Sequence, residues 1–312
     1  MLKKIKDFLL DMLFAPSGSA FLCFSIMLLL SLFNLLNTTL FFSGNGWMIL
    51  MLPIAFCLPF FFFWASRGGK KYVPTLHFGI PKRVHIPTIA FGTALLFLGS
   101  VFLKMTIFSG KYTEFPLYNI FFAHRNGNLF NDLYLVLVFC ILPPIFEGIV
   151  FRGAMIKELD RRGRLTASIF SSLFFALLSF NIEELVPRFF LGIMLCILLY
   201  ATDSIVTTIA IHIAYNFFAV FIEPTFVSIK NVSASYELFA YLVAILTLVV
   251  AMLLFSHLSR LYRKYSHDKF GENFTKSTPR ERTFWHLVEL LTSIPAIACY
   301  ALFVIVNFIL EI

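Results

Sequence analysis

Charge is what this chain has least of. Only 13% of its 312 residues are Asp, Glu, Lys or Arg, against 59% hydrophobic residues. A soluble domain carries about 25% charged residues, so the deficit excludes an ordinary soluble fold and points to a helical protein crossing the membrane several times. Cysteine is also sparse. Cys23, Cys57, Cys140, Cys196 and Cys299 all lie in apolar runs and none has CxxC spacing, so they read as small buried hydrophobes rather than thiolate ligands. No repeat, low-complexity tract or soluble domain is visible. The net charge of +8 comes with no nucleic-acid motif, and nucleic acid is not an expected partner. A cleavable signal peptide is not expected either, because Asp7 and Asp11 break the first apolar run. Leu2, Ile5, Leu9, Met12 and Leu13 recur there at helical spacing, which suits a short helix lying on the bilayer surface.

What is present is a series of apolar runs near the ~20 residues needed to cross a bilayer. They predict an all-α polytopic bundle of about eight or nine transmembrane helices. The runs lie near 19–41, 47–65, 85–108, 131–153, 165–181, 185–201, 203–223, 235–258 and 284–310. Placing the amino terminus in the cytoplasm puts 20 of the 25 Lys and Arg residues in cytoplasmic segments, the bias that orients membrane proteins. Lys104, Lys111, Arg125, Arg188 and Lys230 lie elsewhere. Three regions follow: 1–130 with the surface helix and three spans, a core at 131–223, and 224–312 with a basic loop at 259–283. That loop is expected to follow the anionic lipid surface.

The core contains the polar groups that cost most in lipid. In PPIFEGIVFRG, Glu147 sits inside an apolar helix directly after Pro143 and Pro144, with Arg152 five residues on. A carboxylate in hydrocarbon costs at least ~2.5 kcal/mol on insertion scales and therefore marks a functional site or a structural ion pair. The prolines remove amide donors and kink the helix beside the carboxylate. In a regular α-helix, residues 148 and 152 share a face while 147 and 152 do not, so Glu147 and Arg152 do not form a simple intrahelical pair. Farther on, SIVTTIAIHIAYNFF carries His212 and Asn216 four residues apart on one helix face. A single membrane histidine is ordinarily a packing residue. Together with Asn216, however, it can donate hydrogen bonds to a developing oxyanion, and a carboxylate can activate water. That is the minimum set for peptide hydrolysis.

Residues 140–220, from Glu147 through FRGAMIKELDRRGRLTASIFSSLFFALLSFN to DSIVTTIAIHIAYN, resemble the CAAX-protease and bacteriocin-processing (CPBP, or Abi) family. These are glutamic-type intramembrane proteases with Glu-Glu-xxx-Arg, Phe-xxx-His and His-xxx-Asn motifs on successive helices. The resemblance implies that Glu147 activates water, that Arg152 is the motif arginine, that Phe175 begins the second motif, and that His212 and Asn216 hold the oxyanion. It also implies a membrane-associated peptide or protein substrate and a bacterial cytoplasmic membrane. Two positions depart from the pattern. Gly148 stands where the second glutamate belongs, and Ser179 where the second-motif histidine belongs.

A serine hydroxyl can hold a water but does not titrate near neutral pH. Glu183 and Glu184 are expected in a short outer loop facing water, where they are poor substitutes. Ser179 itself is expected about 21 Å along its helix from Leu165. No metal or other cofactor is expected, because His212 is the only histidine in the core segment and zinc catalysis takes three protein ligands. The other histidines, His77, His85, His124, His257, His267 and His286, fall in loops or near helix ends. Three functions are compatible with these residues. They are a CPBP-type endopeptidase with a degenerate site, a non-catalytic scaffold, peptide-binding or immunity protein of the same fold, and a transporter using Glu147 and His212 as a proton relay.

Overall fold

The computed structural model describes residues 18–39, 48–69, 78–107, 116–224 and 280–309, with 242, 245, 246, 249 and 253. The surface helix expected at 1–14 lies outside the described residues, as do most of the span at 235–258 and most of the basic loop at 259–283. Every regular element among the described residues is helical. In chain order these are α1 (Gly18–Thr39), α2 (Met48–Ser66), α3 (Ile86–Ile107) and α4 (Pro116–Ala123). The long α5 (Leu129–Leu159) comes next. Then follow α6 (Arg164–Leu177), α7 (Ile182–Thr202), α8 (Ile205–Phe221), α9 (Arg280–Leu291) and α10 (Ile294–Val304).

Among the described residues, four stretches are long and apolar enough to cross a bilayer: Ile49–Ser66, Arg83–Lys104, Leu129–Leu159 and Ile182–Thr202. A fifth is gained if Phe284–Leu291 and Ile294–Asn307, bent by 60° at their junction, count as one span. Pro295 lies in the first turn after that bend, where its missing N–H breaks no bond and it starts a helix readily. Two predicted spans correspond to shorter apolar helices, Arg164–Leu177 and Ile205–Phe221, and a third to the apolar stretch Gly18–Phe33 within α1. At 1.5 Å per residue the 14 residues of α6 reach about 21 Å, short of the ~30 Å hydrocarbon thickness. The apolar run extends to residue 181, but the backbone leaves the helix earlier, and Phe180 has φ +47°.

Two compact units divide the chain. The first comprises Met1–Phe78, Ile145–Gly192 and Thr278–Ile312. Within it α1 packs against α2 and α10, and α6 against α9. Cys23 Sγ donates to the Phe174 carbonyl and Cys299 Sγ to that of Ala20. Both thiols are buried as expected, whereas Cys57 faces outward from α2. Gly192 lets α7 approach α6 closely, since a Cβ there would come within 2.8 Å of the Ser172 Cβ. Small residues play this part wherever membrane helices pack without hydrophobic drive. Near the ends of these helices Arg162 forks onto Glu289 at 2.8 and 3.2 Å, and Arg67 meets Glu158 at 3.0 Å.

The second unit comprises Gly79–Pro144 and Ile193–Ser277. Here α3 and α8 run parallel. At the start of α8, Ser204 caps the helix by accepting from the Thr207 amide and donates its own proton to the Gly79 carbonyl, in the segment leading into α3. At their far ends, Lys104 pairs with Glu223 at 2.9 Å. Between these points Phe97 stacks on Phe218 with ring centroids 4.6 Å apart. A separate apolar cluster joins Phe121 of α4 to Leu135 and Cys140 of α5 and Val220 of α8.

Candidate functional site

The site begins with the backbone of α5. Its first turn is capped by Asn128, whose side chain accepts from the Phe130 amide. The helix then alternates: α to Leu135, π over Val136–Ile141, α over Leu142–Glu147, and π again over Gly148–Met155. Pro143 and Pro144 account for the first departure. Neither supplies an amide to the carbonyl four residues back, and the rings crowd those carbonyls outward. Such π segments occur disproportionately at functional sites. They also change the geometry argued from sequence, because the α-helical phase relating Glu147, Gly148 and Arg152 does not hold once residues 148–155 are π-helical.

In the first unit Glu147 is 7% exposed and Arg152 2%. The Arg152 guanidinium lies over the Phe175 ring, 4.2 Å from its centroid, and Phe151 meets the same ring edge-on at 5.7 Å. Ser171 donates to the Phe151 carbonyl at 2.9 Å, so α6 is bonded as well as packed to the motif helix. Two motif positions identified separately in the sequence, Arg152 and Phe175, are thus in direct contact. A desolvated cation over an aromatic face is worth about 2 kcal/mol. Gly148 is buried in this same segment. Arg152 and Arg188 both act electrostatically on Glu147.

Arg188 is a residue that the sequence reading left unassigned. It lies on α7, 3.7 Å from Glu184 one turn earlier. Glu184 is therefore neither in a loop nor turned to water: it is 7% exposed, in the first helical turn. The i,i+4 spacing of Glu184 and Arg188 was the available signal, hidden because the helix starts earlier than its hydropathy implies. Asn181 starts it, its side chain accepting from the Glu183 amide at 2.8 Å.

Ser179 does not occupy a helical position. The α6 helix stops at Leu177, and the Ser179 hydroxyl donates to the Ala176 carbonyl at 2.8 Å and accepts from the Asn181 amide at 3.3 Å. The side chain closes a turn. Its expected depth of ~21 Å along a helix is corrected by that early stop.

His212 and Asn216 belong to the second unit. They lie on one face of α8, 3% and 9% exposed, as their spacing predicts. The Asn216 Nδ2 donates to the Phe139 carbonyl of α5 at 3.2 Å. Next to Asn216 in the chain, Tyr215 shares a 2.7 Å hydrogen bond with Ser100, which also donates to Glu223 at 3.3 Å. Glu223 and Lys104, 0% and 5% exposed, form a buried pair that sequence reasoning missed. Lys104 was visible as a charge in an apolar run, but its partner lies 119 residues away. Among the described residues no group of three or more His, Cys, Asp or Glu is placed to hold a metal ion.

Comparison with known protein families gives a match over the motif segment. Residues 129–218 fit the family model for type II CAAX prenyl endopeptidase Rce1-like proteins, a part of the CPBP family. The matched segment contains both prolines, Glu147, Arg152, Phe175, His212 and Asn216, and covers under a third of the chain. No curated protein and no solved structure matches the chain.

Proposed function

We propose that this protein is a CPBP-type intramembrane endopeptidase working with a reduced set of site residues. Glu147 takes a proton from a water molecule, the resulting hydroxide attacks a peptide carbonyl, and His212 and Asn216 donate to the oxyanion. The proton held by Glu147 then passes to the departing amine, which leaves the carboxylate as it began. The observation that carries this reading is the contact of Arg152 with Phe175 beside the buried Glu147. Three residues that the resemblance singles out are buried in one segment of the first unit. The substrate is a membrane-associated peptide or protein. The chain crosses a bacterial cytoplasmic membrane eight or nine times with its amino terminus inside, and residues 131–223 form its CPBP-like core.

A second reading is favoured by Ser179. Its hydroxyl is committed to a turn, so nothing at that position replaces the histidine that would share water activation. Losing such a group costs on the order of 10²–10⁴ in rate, and a non-catalytic peptide-binding protein would tolerate the loss. Purified protein in liposomes, incubated with a peptide library, decides between the two. Cleavage that vanishes in Glu147→Gln is the expected result. Absence of cleavage by the unmodified protein, with recovery on Gly148→Glu plus Ser179→His, would establish a decayed protease instead. Uptake of a solute coupled to protons and dependent on Glu147 would sink both readings.

A further inference from the structure

The double proline and Asn216 meet at one atom, the carbonyl oxygen of Phe139. In a helix that oxygen accepts from the amide three, four or five residues ahead, according to whether the turn is 3₁₀, α or π. Here the amide of Leu142, three ahead, is bonded to the Leu137 carbonyl. Four and five ahead stand Pro143 and Pro144, which have no N–H. Every amide of α5 within reach of Phe139 O is therefore committed or absent. A backbone carbonyl left without a donor in the hydrocarbon region costs several kcal/mol, so membrane helices keep such breaks only where a neighbour supplies the bond. Asn216 Nδ2, 3.2 Å away on α8, supplies it. The partner is a carbonyl, so the amide must turn its nitrogen toward it, because the reverse orientation would set oxygen against oxygen.

We propose that the Pro143–Pro144 pair makes the Phe139 carbonyl an anchor for Asn216, fixing which way its carboxamide faces and leaving one N–H free to donate. Asn216 is then a positioned residue, and the prolines and the Phe139 carbonyl are the groups that position it. A single proline would not suffice. With Pro143 alone, the amide at 144 could close a π turn onto Phe139. With Pro144 alone, the amide at 143 could close an α turn. Only the pair leaves the oxygen to α8. The anchor does not depend on the chemistry proposed above. Only its consequence for catalysis rests on that reading.

The test is a double-mutant cycle on the full-length protein in detergent, combining Asn216→Leu with Pro143→Ala plus Pro144→Ala and following unfolding. In the proline-containing protein, Asn216→Leu is expected to shift the unfolding equilibrium about three- to twentyfold, the range for hydrogen bonds between membrane helices. In the alanine background, where the restored amides can serve Phe139, the same change is expected to shift it less than twofold. An equal loss in both backgrounds would overturn the proposal. Should Asn216→Leu fail to fold, Asn216→Asp replaces the donor by an acceptor of the same shape. It is expected to destabilise the proline-containing protein and to be relieved by the alanines; no destabilisation, or none relieved, overturns the proposal equally. If wild-type protein cleaves peptide, the alanine pair is expected to lower kcat with KM little changed, because the remaining N–H is no longer aimed. A stability coupling without that kcat effect would keep the anchor and remove Asn216 from the oxyanion role.

Discussion

Two sets of buried charge, one in each unit, are held in different ways. In the second unit Glu223 and Lys104 face each other at 2.9 Å, and Ser100 adds a further bond to the same carboxylate. Each charge is spent on the other, and the result joins the far ends of α3 and α8. In the first unit the motif arginine is spread over an aromatic ring, with Arg152 above Phe175, while Arg188 reaches Glu184 and both arginines act on Glu147. A closed ion pair is a fastening. Glu147 instead lies within the field of two arginines that each also meet another group. The comparison sets burial that locks helices together beside burial around the proposed site, although hydropathy treats both as the same expensive event.

Breaking the fastening tests that distinction with the largest effect on stability. Glu223→Gln leaves Lys104 charged in an apolar setting and is expected to cost about 3–5 kcal/mol, as for other broken buried pairs. Replacing both with Lys104→Met and Glu223→Leu is expected to return most of that loss in a thermal unfolding series. A double variant as unstable as the single would mean that the network does more than pair charges. On the other side of the comparison, Phe175→Leu removes the ring beneath Arg152. The expected loss is about 2 kcal/mol, read in the same unfolding series. A negligible shift would show that the guanidinium is held by its other contacts. The smallest effect is expected at Ser179. Ser179→Ala removes one turn hydrogen bond worth about 1 kcal/mol and is expected to change peptide cleavage less than twofold. A tenfold drop would return Ser179 to the site.

The sequence made the helical class and the motif residues legible because both are written locally. Glu147, Arg152, Phe175, His212 and Asn216 were visible at fixed spacings, and the segment containing them is the one that fits a known family. The prolines at 143 and 144 announced a break but not its form. Periodicity assumes 3.6 residues per turn and cannot show a helix passing into π geometry. Ser179 was misplaced for a related reason. Hydropathy runs smoothly to residue 181, whereas the backbone ends α6 at Leu177 and turns. Lys104 and Glu223 were out of reach because their pairing depends on two helices becoming parallel neighbours, which no local pattern encodes. The end of α6 and the start of α7 shifted for the same reason, since composition limits where a helix can sit in lipid better than where its backbone starts and stops.

The central claim is that Glu147 is equipped for chemistry while Glu223 is a fastening. The most direct measurement is peptide cleavage per folded molecule, with wild type, Glu147→Gln and the Lys104→Met plus Glu223→Leu pair assayed together in liposomes. Wild type is expected to cleave, Glu147→Gln to fold normally and lose about 10²–10⁴ in rate, and the double variant to retain cleavage in proportion to its folded fraction. Undiminished cleavage in folded Glu147→Gln, or none by the wild type, would contradict the account.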